Sequence, residues 1–265
     1  MRVEQFLSDS AACTPDKIAV AAGKNRLSYR ELDRLSDRLA GVLAGEGIDP
    51  GCRVAMFMAD GIEAVIATFA VFKAGAILCA VDPVQGPEVL ATLLNVERIS
   101  GLFTQARFGA NAAQAMTAAP AVKLVVLCGR GYSPPAAGCL NFEEVLRGWD
   151  KAKPIARNRP DTDGALMVAG FMRDGVRRAV VSHRQLASAA EGVEAELQHL
   201  LPLRSLSSER GLCDLLAVIK AGGTALLRDE VRLPPPERAQ RSPHSPAMPP
   251  IAAARGFRAR RDVGF

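Results

Sequence analysis

Twenty residues, Ile62 to Val81 (IEAVIATFAVFKAGAILCAV), limit the fold more than any other stretch. The run is about the right length to cross a bilayer. Glu63 and Lys73 lie inside it, however, and Gly75 follows the lysine. A buried helix, a glycine turn and a buried strand account for the same residues without a membrane. No membrane span is therefore expected.

The flanking sequence repeats this alternation. Ser28-Tyr29-Arg30-Glu31 has the form of a capping box, in which the serine accepts from a first-turn N–H and the glutamate reaches back. Leu32, Leu35, Leu39, Val42 and Leu43 then fall on one helical face. Strands are expected at 53–58, 76–81, 101–104 and 123–128, with helices at about 61–73, 87–96 and 111–118 between them. A short helix is expected at 141–149. Residues 151–163 read as a surface connection between halves. A helix at 185–200, another at 212–220 and a strand at 224–227 follow. Buried apolar strands separated by single helices predict parallel pairing in a layered α/β fold. The expected division is a first α/β subdomain over 1–160, a partial second one over 161–230, and a disordered Pro- and Arg-rich tail over 231–265.

Charge narrows the function classes. The 265 residues carry a net charge of +5. Residues 231–265 hold seven Arg against Glu237 and Asp262, so the tail carries the whole excess and the first 230 residues are balanced. The pI near 9.0 is a property of the tail and gives no support to a nucleic-acid-binding body. Six cysteines at 13, 52, 79, 128, 139 and 213 form no C-x-x-C pair, which points to reduced thiols in a cytoplasmic protein. His183, His199 and His244 are too dispersed for a metal set, and His199 reads as structural. Gly129-Arg130-Gly131 lacks the third glycine of a dinucleotide loop, and Pro134-Pro135 blocks helix entry behind it.

Leu166 to His183 (LMVAGFMRDGVRRAVVSH) has the frame of a phosphate-binding loop. An apolar strand over 166–169 runs into an expected loop at Gly170, and a second apolar run, 179–181, leads to Ser182-His183. A phosphate cradle needs small residues that let backbone N–H groups turn inward, plus hydroxyls and a lysine. The loop interior here reads Phe171, Met172, Arg173, Asp174.

Several ordered motifs identify the chain as resembling the N-terminal part of the adenylate-forming superfamily, which includes acyl-CoA synthetases and the adenylation domains of nonribosomal peptide synthetases. The match runs from Thr14-Pro15-Asp16-Lys17-Ile18-Ala19-Val20 through LSYREL (27–32) and PGCRVAMFM (50–58). It is strongest at FKAGAILCAVDP (72–83), similar to the family's L-K-A-G-x-x-Y-V-P-x-D-P. LLPL (200–203) and GLCDLLAVIKAGGTALL (211–227) resemble a later unit, and about residues 5–230 are covered. The resemblance implies the layered fold of the ligase N-terminal domain. It also implies ATP-dependent activation of a carboxylic acid to an acyl-adenylate, followed by thioester formation. ATP and Mg²⁺ are the implied cofactors, and the acceptor is the thiol of CoA or of a carrier-protein pantetheine.

Set against the family's T-S-G-T-T-G-x-P-K-G-V-x-x-S-H, with Ser182-His183 as anchor, Ala169 and Gly170 fall on the Thr-Ser start, Phe171, Asp174 and Arg178 on the three glycines, Met172 and Arg173 on the paired threonines, and Arg177 on the lysine. The nucleotide-site remnant is then Gly170, Arg173, Gly175, Arg177, Ser182 and His183. Bulk at Phe171 and a carboxylate at Asp174 oppose phosphate binding. The family's later segments, with the adenine loop, Mg²⁺-associated Glu, ribose-binding Asp and catalytic Lys, lie beyond the matched region. These observations predict a truncated, degenerate ligase-like protein, weak or inactive alone. A noncatalytic interaction module, or one half of a split ligase completed by another chain, are the alternatives.

Overall fold

The computed structural model describes residues 1–129, 138–148, 155, 159–172, 175–194 and 203–227, with backbone alone at 169–172, 175–178 and 194. The chain divides into a unit Met1–Glu230 and a unit Val231–Phe265; the tail lies outside the described residues.

Helix α1 (Glu4–Cys13) precedes β1 (Ile18–Ala22), β2 (Asn25–Ser28) and α2 (Tyr29–Gly45). The capping box forms at α2: the Glu31 carboxylate accepts from the Ser28 N–H at 2.9 Å, and Ser28 Oγ accepts from the Glu31 N–H. Leu32, Leu39, Val42 and Leu43 are buried on its inner face, and Leu35 packs at the margin. The alternation continues with β3 (Arg53–Phe57), α3 (Ile62–Ala74), β4 (Ile77–Ala80), α4 (Gly86–Val96), β5 (Gly101–Gln105), α5 (Gly109–Met116), β6 (Leu124–Cys128), β7 (Cys139–Asn141) and α6 (Phe142–Arg147). The last elements are β8 (Gly164–Met172), β9 (Gly175–Ser182), α7 (His183–Glu194), α8 (Glu209–Lys220) and β10 (Ala225–Leu227).

Seven strands form one sheet in the order β7-β6-β5-β3-β4-β8-β9. All neighbours are parallel except β8 and β9, which pair antiparallel at one edge. Both faces are covered, and the strand alternation shows it. Val54 and Met56 of β3 join the larger core with α2 and α3, while Ala55 and Phe57 join a second core with Leu90, Leu94 and Ala112 of α4 and α5. Order reverses at β3, with β4 on one side and β5 on the other, as in a doubly wound sheet.

The stretch with membrane-span length folds as the apolar pattern predicts. Every residue of α3 from Ala64 to Ala74 is buried, Gly75 turns the chain at φ 75°, and β4 enters the sheet. Among the described residues no helix is long and apolar enough to cross a membrane. Lys73 is buried and bridges Asp33 Oδ1 at 2.7 Å and Asp37 Oδ1 at 2.9 Å, which joins α3 to α2.

Two expectations differ from the structure. Where a boundary was expected between 160 and 161, β8 pairs with β4 through Leu78↔Leu166, and β10 pairs parallel with β1 through Val20↔Ala225. Residues 1–230 therefore form one compact unit. The supposed surface connection also reaches inward: Ile155 packs on the larger core, and Arg159 bonds the end of α3. Strand pairing between residues as far apart as Leu78 and Leu166, or Val20 and Ala225, leaves no local periodicity to read. The helix expected at 185–200 begins two residues earlier, at His183, and is described to Glu194.

The capping box gives a direct stability test. Ser28→Ala removes the acceptor for the Glu31 N–H and should lower unfolding free energy by about 1 kcal/mol, read from the urea midpoint with an unchanged m-value.

Candidate functional site

The phosphate-loop segment is a hairpin. Leu166↔Val181, Val168↔Ala179, Gly170↔Arg177 and Met172↔Gly175 are cross-strand pairs. The loop expected at Gly170 is therefore a continued strand, and only positions 173 and 174, outside the described residues, separate the paired ends. The cause is local propensity. Val168, Phe171, Val176, Val180 and Val181 suit a pleated ladder, and they outnumber the glycines at 170 and 175 within it. Backbone engaged in an antiparallel ladder is extended, whereas a phosphate nest requires successive N–H groups curled to one side.

This register places the site candidates in two groups. Gly170, Gly175 and Arg177 lie on the backbone of the hairpin's far half, and Arg173 lies outside the described residues. Ser182 and His183 lie at the base, where β9 meets α7. Ser182 caps that helix: its Oγ accepts from the Gln185 N–H at 3.3 Å, and Gln185 Oε1 accepts from the Ser182 N–H at 2.9 Å. This is a second capping box, legible in the sequence as Ser-His-Arg-Gln.

His183 is fully buried. Its Nε2 lies 2.7 Å from Arg2 Nη2. A guanidinium only donates, so Nε2 is the acceptor in that contact, while the Val3 N–H approaches Nδ1 at 3.4 Å. That nitrogen is 3.3 Å from Glu4 Oε2. The ring meets Phe72 edge-on with centroids 5.8 Å apart. Burial, reinforced by the charges of Arg2 and Arg159, pushes the imidazole down to about 3. Neither its protonation range nor its burial suits a group that meets substrate.

Sequence reasoning did not find the polar cluster around this histidine. Arg2 Nε donates to Glu4 Oε1 at 2.5 Å, and Arg2 Nη1 donates to the Pro160 carbonyl at 2.8 Å. The Arg184 guanidinium bonds Asp161 at 2.7 Å and holds that carboxyl well below the usual carboxylate range. These partners come from opposite ends of the unit, so no spacing rule could have found them. Elsewhere, burial pushes the thiols of Cys79 up to about 12 and Cys213 up to about 11, which makes both poor nucleophiles at neutral pH. All six cysteines are free. Among the described residues no group of three or more His, Cys, Asp or Glu could hold a metal ion.

The AMP-binding enzyme family matches residues 7–168. The chain is similar to phosphinothricin tripeptide synthetase PhsC of Streptomyces viridochromogenes, at 30% identity over 239 residues, covering 87% of this chain and 20% of that protein. It is also similar to the salicyl-AMP ligase / salicyl-S-ArCP synthetase of Mycobacterium tuberculosis, at 44% identity over 80 residues, covering 28% of this chain and 14% of that one. Coronafacic acid ligase from Pectobacterium brasiliense shares the fold, with a TM-score of 0.75 at 18% identity over 87% of this chain and 46% of that one. The chain thus spans less than half the length of each of these proteins.

The buried imidazole predicts acid sensitivity. Its folded value lies below the ordinary 6.5, so between about pH 6.5 and about 3 the unfolded chain binds one more proton. Stability should be full above pH 6.5 and fall as pH falls toward 3. Asp161 acts in the same sense below the ordinary carboxylate range. Urea melts at pH 7, 5.5 and 4 should show this decline, and the His183 C2–H resonance should not titrate above pH 4. A His183 midpoint near 6.5 would refute the assignment.

Proposed function

The chain belongs to the AMP-binding enzyme family, and on that premise we propose that it is an AMP-dependent synthetase/ligase-like protein whose adenylation activity, in this chain by itself, is weak or lost. The observation that carries this reading is the ladder through Gly170↔Arg177 and Met172↔Gly175. It occupies the positions where a nucleotide-binding member would need a glycine- and hydroxyl-rich turn. The backbone there is extended, which does not fit a phosphate cradle, so no reaction step is assigned through ATP or Mg²⁺.

Within the remnant, Arg177 stands in the register of the family's lysine, with Arg173 and Gly175 beside it in sequence. An Arg is a planar fork and does not replace a lysine point charge at the same reach. Asp174 adds a carboxylate next to any bound polyphosphate. Loss of each charge-assisted phosphate contact costs roughly 1.5–3 kcal/mol, so two or three such losses reduce turnover by several orders of magnitude. Ser182 and His183 serve the fold in this reading and do not touch nucleotide. The carboxylic acid, and the choice between CoA and a carrier-protein thiol, belong to portions of the relatives that this chain does not span.

ATP–pyrophosphate exchange by the purified chain across a panel of carboxylic acids should stay at background, and robust exchange would overturn the reading. The double variant Phe171→Gly/Asp174→Gly should tighten ATP binding by about tenfold in calorimetry, because it removes bulk and a like charge. The same affinity in both proteins would show that this segment is no phosphate grip.

A further inference from the structure

The end of α3 leaves its last carbonyls inside the protein, and a side chain distant in sequence satisfies them. The Gly75 N–H bonds the Phe72 carbonyl, and the Ala76 N–H bonds the Val71 carbonyl. The next two acceptors, Lys73 O and Ala74 O, receive the two arms of Arg159: Nη2 at 2.5 Å and Nη1 at 2.8 Å. The guanidinium lies where Gly75 has no side chain. A Cβ at Gly75 would sit 1.1 Å from Arg159 Nη1 and 2.1 Å from its Cζ. Gly75 is thus required twice, once for φ 75° and once as a seat for an arginine 85 residues away from Ala74.

The segment that Arg159 fixes in turn holds the base of the hairpin. Asp161 O accepts from the Arg184 N–H at 2.8 Å, and Asp163 O accepts from the His183 N–H at 3.0 Å. The Pro160 carbonyl takes Arg2 Nη1, whose other arm reaches His183. From α3 the chain of contacts runs through Arg159 to residues 160–163 and then to the start of α7.

We propose that Arg159 is a positioning residue: its fork, seated over Gly75, ties the C-terminus of α3 to residues 160–163 and so sets where β8 begins and where α7 starts. This role goes beyond the adenylation reading and does not depend on it. The fork geometry makes a specific demand, since a lysine is a single point charge and cannot bond both carbonyls in this way.

Amide hydrogen exchange of the full chain tests the tether. In Arg159→Ala, the His183 and Arg184 amides should exchange about tenfold faster, while Ala55 and Leu102 in the sheet centre keep their rates. Arg159→Lys should show the same signature without rescue, and it serves if the alanine variant does not fold. Gly75→Asn separates the seat from the backbone, because asparagine tolerates a left-handed φ yet carries a Cβ. It should lower the urea midpoint of the wild type and leave that of Arg159→Ala unchanged. Wild-type exchange at His183 and Arg184 in both Arg159 variants would overturn the proposal. Equal effects of Gly75→Asn in the two backgrounds would do the same.

Discussion

The fold depends on burying α3 on every side. A helix buried along almost its whole length hides its apolar surface, but its buried Lys73 and its last carbonyls also leave water. The structure answers each demand with a named group. Lys73 is neutralised by Asp33 and Asp37 of α2. The terminal carbonyls are taken by the Gly75 turn and by Arg159. Because these partners come from α2 and from the segment before β8, satisfying α3 also fixes how the layers meet.

The same contacts explain why residues 161–227 do not separate as a second body. β8 enters the seven-stranded sheet beside β4, and β10 pairs with β1 in a three-stranded sheet of order β10-β1-β2. Polar ties reinforce both. Tyr29 Oη donates to the Gly223 carbonyl at 2.7 Å, Ser10 Oγ to the Ile219 carbonyl at 2.7 Å, and Thr224 Oγ1 to the Ile18 carbonyl at 2.6 Å. Each of these three hydroxyls has a carbonyl acceptor supplied from the other segment where the late residues dock on the early ones.

What was legible in the sequence was what local chemistry decides. The Ser28 capping box, the glycine turn at 75 and the alternation of apolar strands with single helices all follow from contacts within a few residues. The hairpin beyond Gly170 was misread because the family frame suggested a loop, although Phe171 and Val176 already favoured a strand. The seat at Gly75 and the grip on His183 were invisible for a different reason. Arg2 is 181 residues from His183, and neither its type nor its position marks it as a core residue until the fold brings the two together.

Ser182-His183 shows how a site motif and a folding motif share residues. The pair aligns with the end of a nucleotide loop, yet its serine caps α7 and its histidine is a neutral, buried acceptor for Arg2. The fold alone therefore accounts for both side chains, and their presence is no argument for a phosphate nearby. A ladder asks only for residues that tolerate an extended backbone, and Phe171, Met172 and Val176 meet that as well as any loop chemistry would fail it. On the proposed reading, the groups that pack α3 and start α7 are kept for the fold, whatever the paired segment above them binds. The two halves of the motif answer to different forces, so agreement at the base carries no information about function at the tip.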